Sequence, residues 1–513
     1  MNVKNIKVII RRSFLFIITL VISTSCSTKN EQKEEEEANS ELPNIVVILA
    51  DDLGFGEIQH LNPTRGKIPT PSLDAIARSG MVFTDAHGTS SVCTPSRYSL
   101  MTGRYHWRTR LQKGVLKGGE SLIDADKLTL AKMLKKQGYH TAMFGKWHLG
   151  IIVNGQHRVV SNMPIGSKVE KGPIDRGGFD EFHGFHHSGS MSTWIDNNEV
   201  TENVPPIDML PRLTEKTVEF IAGRKNNKKP FFLYIPWNSP HSPVVPSVEW
   251  QGKSGLNAHA DFVMQTDNSY GKVIQALKDN GLYENTLVIV SSDNGTSGPT
   301  SKISELNEMG HFPSAHYRGA KFDIWDGGHR VPFFASWPKQ INAGSTHKGI
   351  VCFTDVMGTL ADITNYQLSA QEGVDSQSFM KAFYGGKTNR NDVIHHSVQG
   401  YFAYRKDNWK MAAVPGSGGW TAPKTNKEEA NKADNPIKNY QLYNMALDES
   451  EQKNLAEQYP EKVIEMRKEL ADIIRKGSSS KGKQGTNDAP VIIEKWGSHA
   501  VLINDEFSKE LEE

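Results

Sequence analysis

Three short apolar runs, each broken off by polar residues, constrain this chain more than any other feature. Residues 44–50 (NIVVILA) end at Asp51-Asp52, residues 231–236 (FFLYIP) lead to Pro240-His241, and residues 287–292 (LVIVSS) end at Asp293-Asn294. Runs this short, apolar at nearly every position, predict strands buried on both faces, as in a parallel sheet. Helical patterns lie between them. Residues 72–79 stop at Gly80, 127–137 at Gly138 and 270–279 at Gly281, in keeping with glycine as a helix terminator. Strand alternating with helix predicts an α/β fold, a large mostly parallel sheet sandwiched by helices. In such sheets chemistry gathers at the carboxyl ends of strands, where both acidic pairs stand.

After about residue 385 the pattern changes. Residues 395–399, 401–405, 409–414 and 440–444 are short strand-like runs without helical crossovers. Residues 460–476 form an amphipathic pattern led by Pro460, a residue suited to a first helical turn. This predicts a smaller α+β subdomain over 386–513, with an antiparallel sheet, behind a catalytic domain over 43–385. The segment 477–488 (GSSSKGKQGTND) reads as mobile.

Composition excludes some classes. Cysteine occurs only at positions 26, 93 and 352, too sparsely for a disulfide scaffold. With 59 Lys+Arg against 58 Asp+Glu, there is no basic excess to bind nucleic acid. The basic residues that do stand out are Lys4, Lys7, Arg11 and Arg12, ahead of the apolar run 13–22 and small residues 23–25. Residues 1–25 therefore read as a bacterial export signal. Cys26, directly after them, resembles the lipidated cysteine of bacterial lipoproteins, although Ser23 stands where that motif usually has Leu. Residues 26–42 read as an acidic flexible tether. The expectation is an exported protein, lipid-anchored through Cys26 in a bacterial outer membrane, at its periplasmic face or the cell surface.

The segment Cys93-Thr94-Pro95-Ser96-Arg97 is the densest chemical signal. Pro95 favours a first helical turn, which places Cys93 at a helix N-terminus, where backbone N–H groups favour an anion. Arg97 lies on the same turn. Taken alone, Cys93 is a reactive thiol or a buried cysteine. Asp51, Asp52, Asp293 and Asn294 offer oxygen ligands only, a set suited to Ca²⁺ or Mg²⁺ rather than Zn²⁺. Each pair alone is equally an ordinary turn.

Six motifs in order carry a resemblance to the type I, formylglycine-dependent sulfatases. They are residues 50–54 (ADDLG), 93–97 (CTPSR) with 100–104 (LMTGR), 145–150 (GKWHLG), 240–243 (PHSP), 292–295 (SDNG), and 318–321 (RGAK) with 327–332 (GGHRVP). Asp326 is a departure, since Glu is more usual there. The resemblance spans about residues 43 to 476 and implies the alkaline-phosphatase-like sulfatase fold. It further implies that a maturation enzyme oxidises Cys93 to formylglycine (3-oxoalanine), and that one divalent cation, Ca²⁺ by preference, is held by Asp51, Asp52, Asp293, Asn294 and residue 93. In the implied mechanism the aldehyde hydrate attacks sulfur, assisted by the metal and Lys146. His241 protonates the leaving alcohol, Lys321 holds sulfate oxygens, and Arg97 belongs to the same site. His148 then deprotonates the second hydroxyl, resolving the sulfo-enzyme intermediate and releasing inorganic sulfate.

Lys146 and His148, two apart on an extended segment, are expected to share one face. Cys352 reads as a buried small hydrophobe. The stretch 182–192 (FHGFHHSGSMS) with Trp194 and Asp196, the segment 106–108 (HWR), and the Gly-rich loop ending at Trp420 are candidates to line a sugar subsite, or loops packing their own aromatics. His183, His186 and His187 lack zinc spacing. Residues 400–420 (GYFAYRKDNWKMAAVPGSGGW) are similar to the arylsulfatase A and N-acetylgalactosamine-6-sulfatase branch. That implies a sulfated saccharide substrate, galactose or N-acetylgalactosamine sulfates of mucin or glycosaminoglycan fragments. The rival readings are a phosphomonoester or phosphonate hydrolase of the same superfamily, and a non-catalytic surface glycan-binding lipoprotein.

Overall fold

The computed structural model describes residues 42–431 and 435–495. The expected export signal, Cys26 and nearly all of the expected tether lie outside them. Ten strands make the main sheet: β1 (Asn44–Asp51), β2 (Met81–Phe83), β3 (His140–Lys146), β4 (Glu181–Phe185), β5 (Thr193–Asp196), β6 (Glu199–Asn203), β7 (Phe231–Pro240), β8 (Thr286–Ser292), β9 (Phe333–Ser336) and β10 (Ser345–His347). Their spatial order is β10-β2-β9-β8-β1-β7-β3-β4-β5-β6. The five central strands β8, β1, β7, β3 and β4 run parallel. Antiparallel pairing begins on either side, at β8–β9 and at β4–β5. The sheet is thus parallel where it is most buried and mixed overall.

Both faces of β1 are covered, which is why its sequence is apolar at every turn of the pleat. Ile45, Val47 and Leu49 enter one hydrophobic core, and Val46, Ile48 and Ala50 enter the other. The first core is closed by α2 (Cys93–Thr102), α3 (Leu130–Lys136) and α6 (Asp355–Ile363). The second is closed by α1 (Pro71–Ser79), α4 (Pro206–Ala222) and α5 (Ala258–Asp279). A third core lies between a four-stranded antiparallel sheet and α7 (Pro460–Lys476). That sheet comprises β11 (Asp392–His396), β12 (Phe402–Lys406), β13 (Trp409–Ala412) and β14 (Gln441–Asn444).

Two expectations need correction. The helix read as 270–279 extends over Ala258–Asp279 and is capped by the Asn257 side chain on the Ala260 N–H. The segment 477–488 is pinned rather than mobile. Ser479 N donates to Asp375 Oδ1 at 2.9 Å, the Ser480 hydroxyl to Ser376 O at 2.8 Å, and Asp488 N to Arg108 O at 2.6 Å. At the centre of this clamp, Arg108 grips Asp375 through two bonds of 2.8 Å, with both side chains fully buried. Arg108→Ala would leave a buried carboxylate without its counter-charge, which costs about 3–5 kcal/mol. The expected result is a lowered midpoint in guanidinium unfolding, and an unchanged midpoint would remove this structural role.

Candidate active site

Four adjacent strands each deliver a candidate residue to one edge of the sheet. β1 ends in Asp51 and Asp52, β8 beside it leads into Asp293 and Asn294, β7 on its other side runs into His241, and β3 ends in Lys146. Parallel pairing brings the acidic pairs together although 241 residues separate them. Asp52 N donates to Asp293 Oδ1 at 3.2 Å, and Asn294 Nδ2 donates to Asp52 Oδ1 at 2.8 Å. Against β1, β7 carries two extra residues. Leu49 pairs with Pro236, yet Asp51 pairs with Pro240. This bulge sets His241 beside the carboxylates, with Nε2 3.6 Å from Asp52 Oδ2. Its Nδ1 lies 2.6 Å from Ser242 O; because a carbonyl only accepts, Nδ1 carries a proton.

α2 points its first residue, Cys93, at this edge. The helix starts at Cys93, two residues before the expected Pro95, and no side chain caps it. Arg97 is therefore one full turn along from Cys93, on the same face. The Arg97 guanidinium reaches Asp293 Oδ2 at 2.8–2.9 Å, lies 3.6 Å from Asp51 Oδ1, and donates to Lys146 O at 3.1 Å. Lys146 Nζ stands 2.6 Å from Asp51 Oδ2. Lys321, on the loop after residue 319, places Nζ 2.5 and 2.8 Å from the two Asp52 oxygens and 4.0 Å from Cys93 Sγ. Three carboxyl groups thus meet two lysines and an arginine around one thiol.

Burial and charge set the protonation of these groups. Burial pushes the Cys93 thiol up, against the pull of Lys146 and Lys321. Burial also works to raise the Asp51 carboxyl, but Lys146, His241, Arg97 and Lys321 together hold it well below the usual carboxylate range. Asp293 moves the other way. Burial, with Asp51 and Asp52 as like charges, outweighs Arg97 and Lys146 and raises it. Burial lowers His241 despite Asp51 and Asp52.

His148 departs from the expected geometry. β3 stops at Lys146 and His148 adopts a left-handed backbone with φ 59°, so the two do not share a strand face. Its Nε2 donates to Leu116 O at 2.8 Å while Leu116 N donates to the Thr94 hydroxyl at 3.2 Å. Leu116, which carries no sequence signal, thereby ties His148 to the start of α2. His148 Nδ1 is buried without a hydrogen bond, and the donated Nε2 proton leaves that nitrogen as an acceptor. Asp52 (φ 69°) and Phe322 (φ 84°), next to Lys321, are also left-handed. Strained backbone of this kind persists where the surroundings fix it, commonly at functional sites.

Among the remaining sequence candidates, His186 and His187 do reach the site, with ring centroids 6.1 and 5.8 Å from that of His148. His183 does not join them. It is paired with Asp196 at 2.5 Å and stacked on Phe144. Residues 106–108 are a correction: all three are buried in the interior, with Trp107 against Phe402 and Arg108 on Asp375, so none lines an opening. Cys352 is buried, as expected. The Trp420 indole is half-exposed.

A divalent cation fits this edge. Asp51 Oδ1 and Asn294 Oδ1 are buried oxygens without a hydrogen bond, and unpaired buried oxygens are costly unless something binds them. Ligand atoms of Asp51, Cys93 and Asp293, and separately of Asp51, Asp52 and His241, lie within 4.8 Å of one another. The donors around Asp51 are mostly carboxylate oxygens, the preference of a hard cation.

The family model described as Sulfatase matches residues 43–366. An N-acetylgalactosamine-6-O-sulfatase of Bacteroides thetaiotaomicron is 31% identical, over 88% of this chain and 97% of its own length. A solved structure described under the metabolism of multiple glycosaminoglycans by that organism is 26% identical, with a TM-score of 0.73 over 84% of this chain and 99% of its own. Ps i-CgsB, solved in complex with k-i-k-neocarrahexaose, is 26% identical, with a TM-score of 0.68 over 84% of this chain and 92% of its own.

Proposed function

The chain belongs to the sulfatase family, and on that premise we propose that it hydrolyses sulfate monoesters of galactose or N-acetylgalactosamine units in mucin or glycosaminoglycan fragments. A sulfuric ester hydrolase acting on carbohydrate accords with the relatives. The sugar and the linkage are our reading, supported by the N-acetylgalactosamine-6-O-sulfatase at 31% identity. The observation that carries the assignment is the placement of Cys93. It heads a buried helix, 4.0 Å from Lys321, beside a cluster of three carboxylates.

In this reading Asp51, Asp52, Asp293, Asn294 and residue 93 would hold one divalent cation, Ca²⁺ by preference, which would supply positive charge to the anionic sulfate. Residue 93, oxidised to formylglycine and hydrated, supplies a nucleophilic hydroxyl and a second hydroxyl on the same carbon through which sulfate is expelled. Lys321 holds the sulfate by charge, and Lys146 favours ionisation of the attacking hydroxyl. His241 would act from its doubly protonated form, with Nδ1–H held by Ser242 O and Nε2–H turned to the site, passing the Nε2 proton to the departing sugar oxygen and remaining neutral with its proton on Nδ1. His148 takes up a proton at Nδ1, the nitrogen left without a partner. Arg97 keeps Asp293 and Asp51 apart in charge and fixed in place.

The deciding experiment compares kcat/KM on N-acetylgalactosamine 6-sulfate and on the matching 6-phosphate. Faster sulfate release upholds the reading, and faster phosphate release replaces it with a phosphomonoesterase. We further propose that Cys26 is lipidated after removal of residues 1–25, anchoring the enzyme in a bacterial outer membrane. Cys26→Ala should move the protein from the membrane fraction to the soluble one, and retention in the membrane would contradict the anchor.

A further inference from the structure

We propose that Trp420, backed by Phe322, is a stacking platform for the pyranose ring that bears the sulfate. The proposal rests on the sulfatase reading above and names the surface that grips the sugar rather than the ester. Lys321 Nζ lies 5.4 Å from the centroid of the Phe322 ring. The Phe322 ring in turn lies 3.7 Å from the Trp420 ring, inclined by 27°. The indole is therefore no farther from the ammonium than these two separations combined.

Exposure grades outward along this path. Lys321 is 4% exposed, Phe322 is half-buried and Trp420 is 52% exposed. One face of the indole is covered by Phe322, which leaves the other available. A half-exposed Trp on a loop is ordinarily free to swing, but here the loop is locked to the Lys321 segment. Asp323 accepts hydrogen bonds from Trp420 N at 3.0 Å and Thr421 N at 3.1 Å, and it also pairs with the Thr421 hydroxyl. Ile324 N donates to Ser417 O at 2.8 Å. Gly419 allows this contact, because a Cβ there would come within 2.5 Å of Phe322 O and Asp323 Oδ1. The left-handed backbone at Phe322 turns its ring to the indole directly after Lys321.

The arrangement suits a sugar. The C–H groups on one face of a pyranose carry partial positive charge and settle on the negative face of an aromatic ring, with apolar area buried on both sides. A fixed indole spends little conformational freedom on binding. The indole comes from the C-terminal part of the chain, whereas the carboxylates and Lys146 come from the ends of main-sheet strands and Cys93 from the start of α2. Sugar grip and ester chemistry thus reside on separate segments joined at Asp323.

The test is Trp420→Ala assayed on N-acetylgalactosamine 6-sulfate, with inhibition by inorganic sulfate measured alongside. Loss of the platform should raise KM about tenfold, leave the sulfate inhibition constant within twofold, and leave the formylglycine content by peptide mass spectrometry as in the parent. Trp420→Phe should stay within about threefold of the parent KM. An unchanged KM in Trp420→Ala, with normal parental turnover, overturns the platform alone. Parallel weakening of sulfate inhibition also overturns it, by assigning the effect to a displaced Lys321. A parent enzyme that releases sulfate from a simple ester but not from the sugar overturns the carbohydrate reading and the platform together.

Discussion

Cys93→Ala is expected to remove turnover, lowering kcat/KM on a sulfated saccharide by at least about 10⁴-fold, as loss of a covalent nucleophile does elsewhere. The neighbouring groups cannot substitute. Lys146 and Lys321 are paired with Asp51 and Asp52, and Arg97 with Asp293. Nor does the bare thiol suffice, since it has no second hydroxyl on its carbon through which to expel sulfate. Mass spectrometry of the peptide spanning residue 93 should read an aldehyde in active protein. Fully active material that retains the thiol would overturn the mechanism, as would a Cys93→Ala variant that still releases sulfate.

Exhaustive chelation is expected to lower turnover by at least about 100-fold, with recovery on adding Ca²⁺. Asp293→Asn should weaken Ca²⁺ affinity and turnover together, because it removes one carboxylate from the cluster and deprives Arg97 of its closest charged partner. An ion that binds only the folded state stabilises it by about 2.7 kcal/mol at one hundred times its Kd. Ca²⁺ should therefore raise Tm in the parent and raise it less in Asp293→Asn. Undiminished activity after chelation, or a Ca²⁺ response of Tm untouched by Asp293→Asn, would remove these residues from the cation site.

Much of this site was legible because its residues stand at strand ends. An apolar run that stops at Asp51-Asp52 or Asp293-Asn294 marks the carboxyl end of a buried strand, and parallel pairing places such ends side by side. The amphipathic helix Pro460–Lys476 was equally legible, from its leading proline to Gly477 with φ 73°. The first half of α5 was hidden because polar side chains sit in its buried face. His259 pairs with Glu57, Gln265 accepts from Ser247 N, and Asp267 accepts from Ser72 N and Leu73 N at the start of α1. Those partners are distant in sequence, so no periodicity reports them. The same holds for the pinned segment 477–488, whose Gly, Ser and Lys content says nothing of Asp375 or Arg108. The shared face expected of Lys146 and His148 fails because a single left-handed residue breaks strand alternation, which no residue type announces.

Burial of α2 on every side has a consequence for how the enzyme is made. All ten residues from Cys93 to Thr102 are enclosed, and Cys93 is 3% exposed. Another protein large enough to recognise the residues around that cysteine has no route to it once the sheet and its covering helices have closed. On the proposed reading, oxidation of this position therefore races folding and comes first. Cells that make the chain faster than they process it would accumulate well-folded, stable and permanently inert copies.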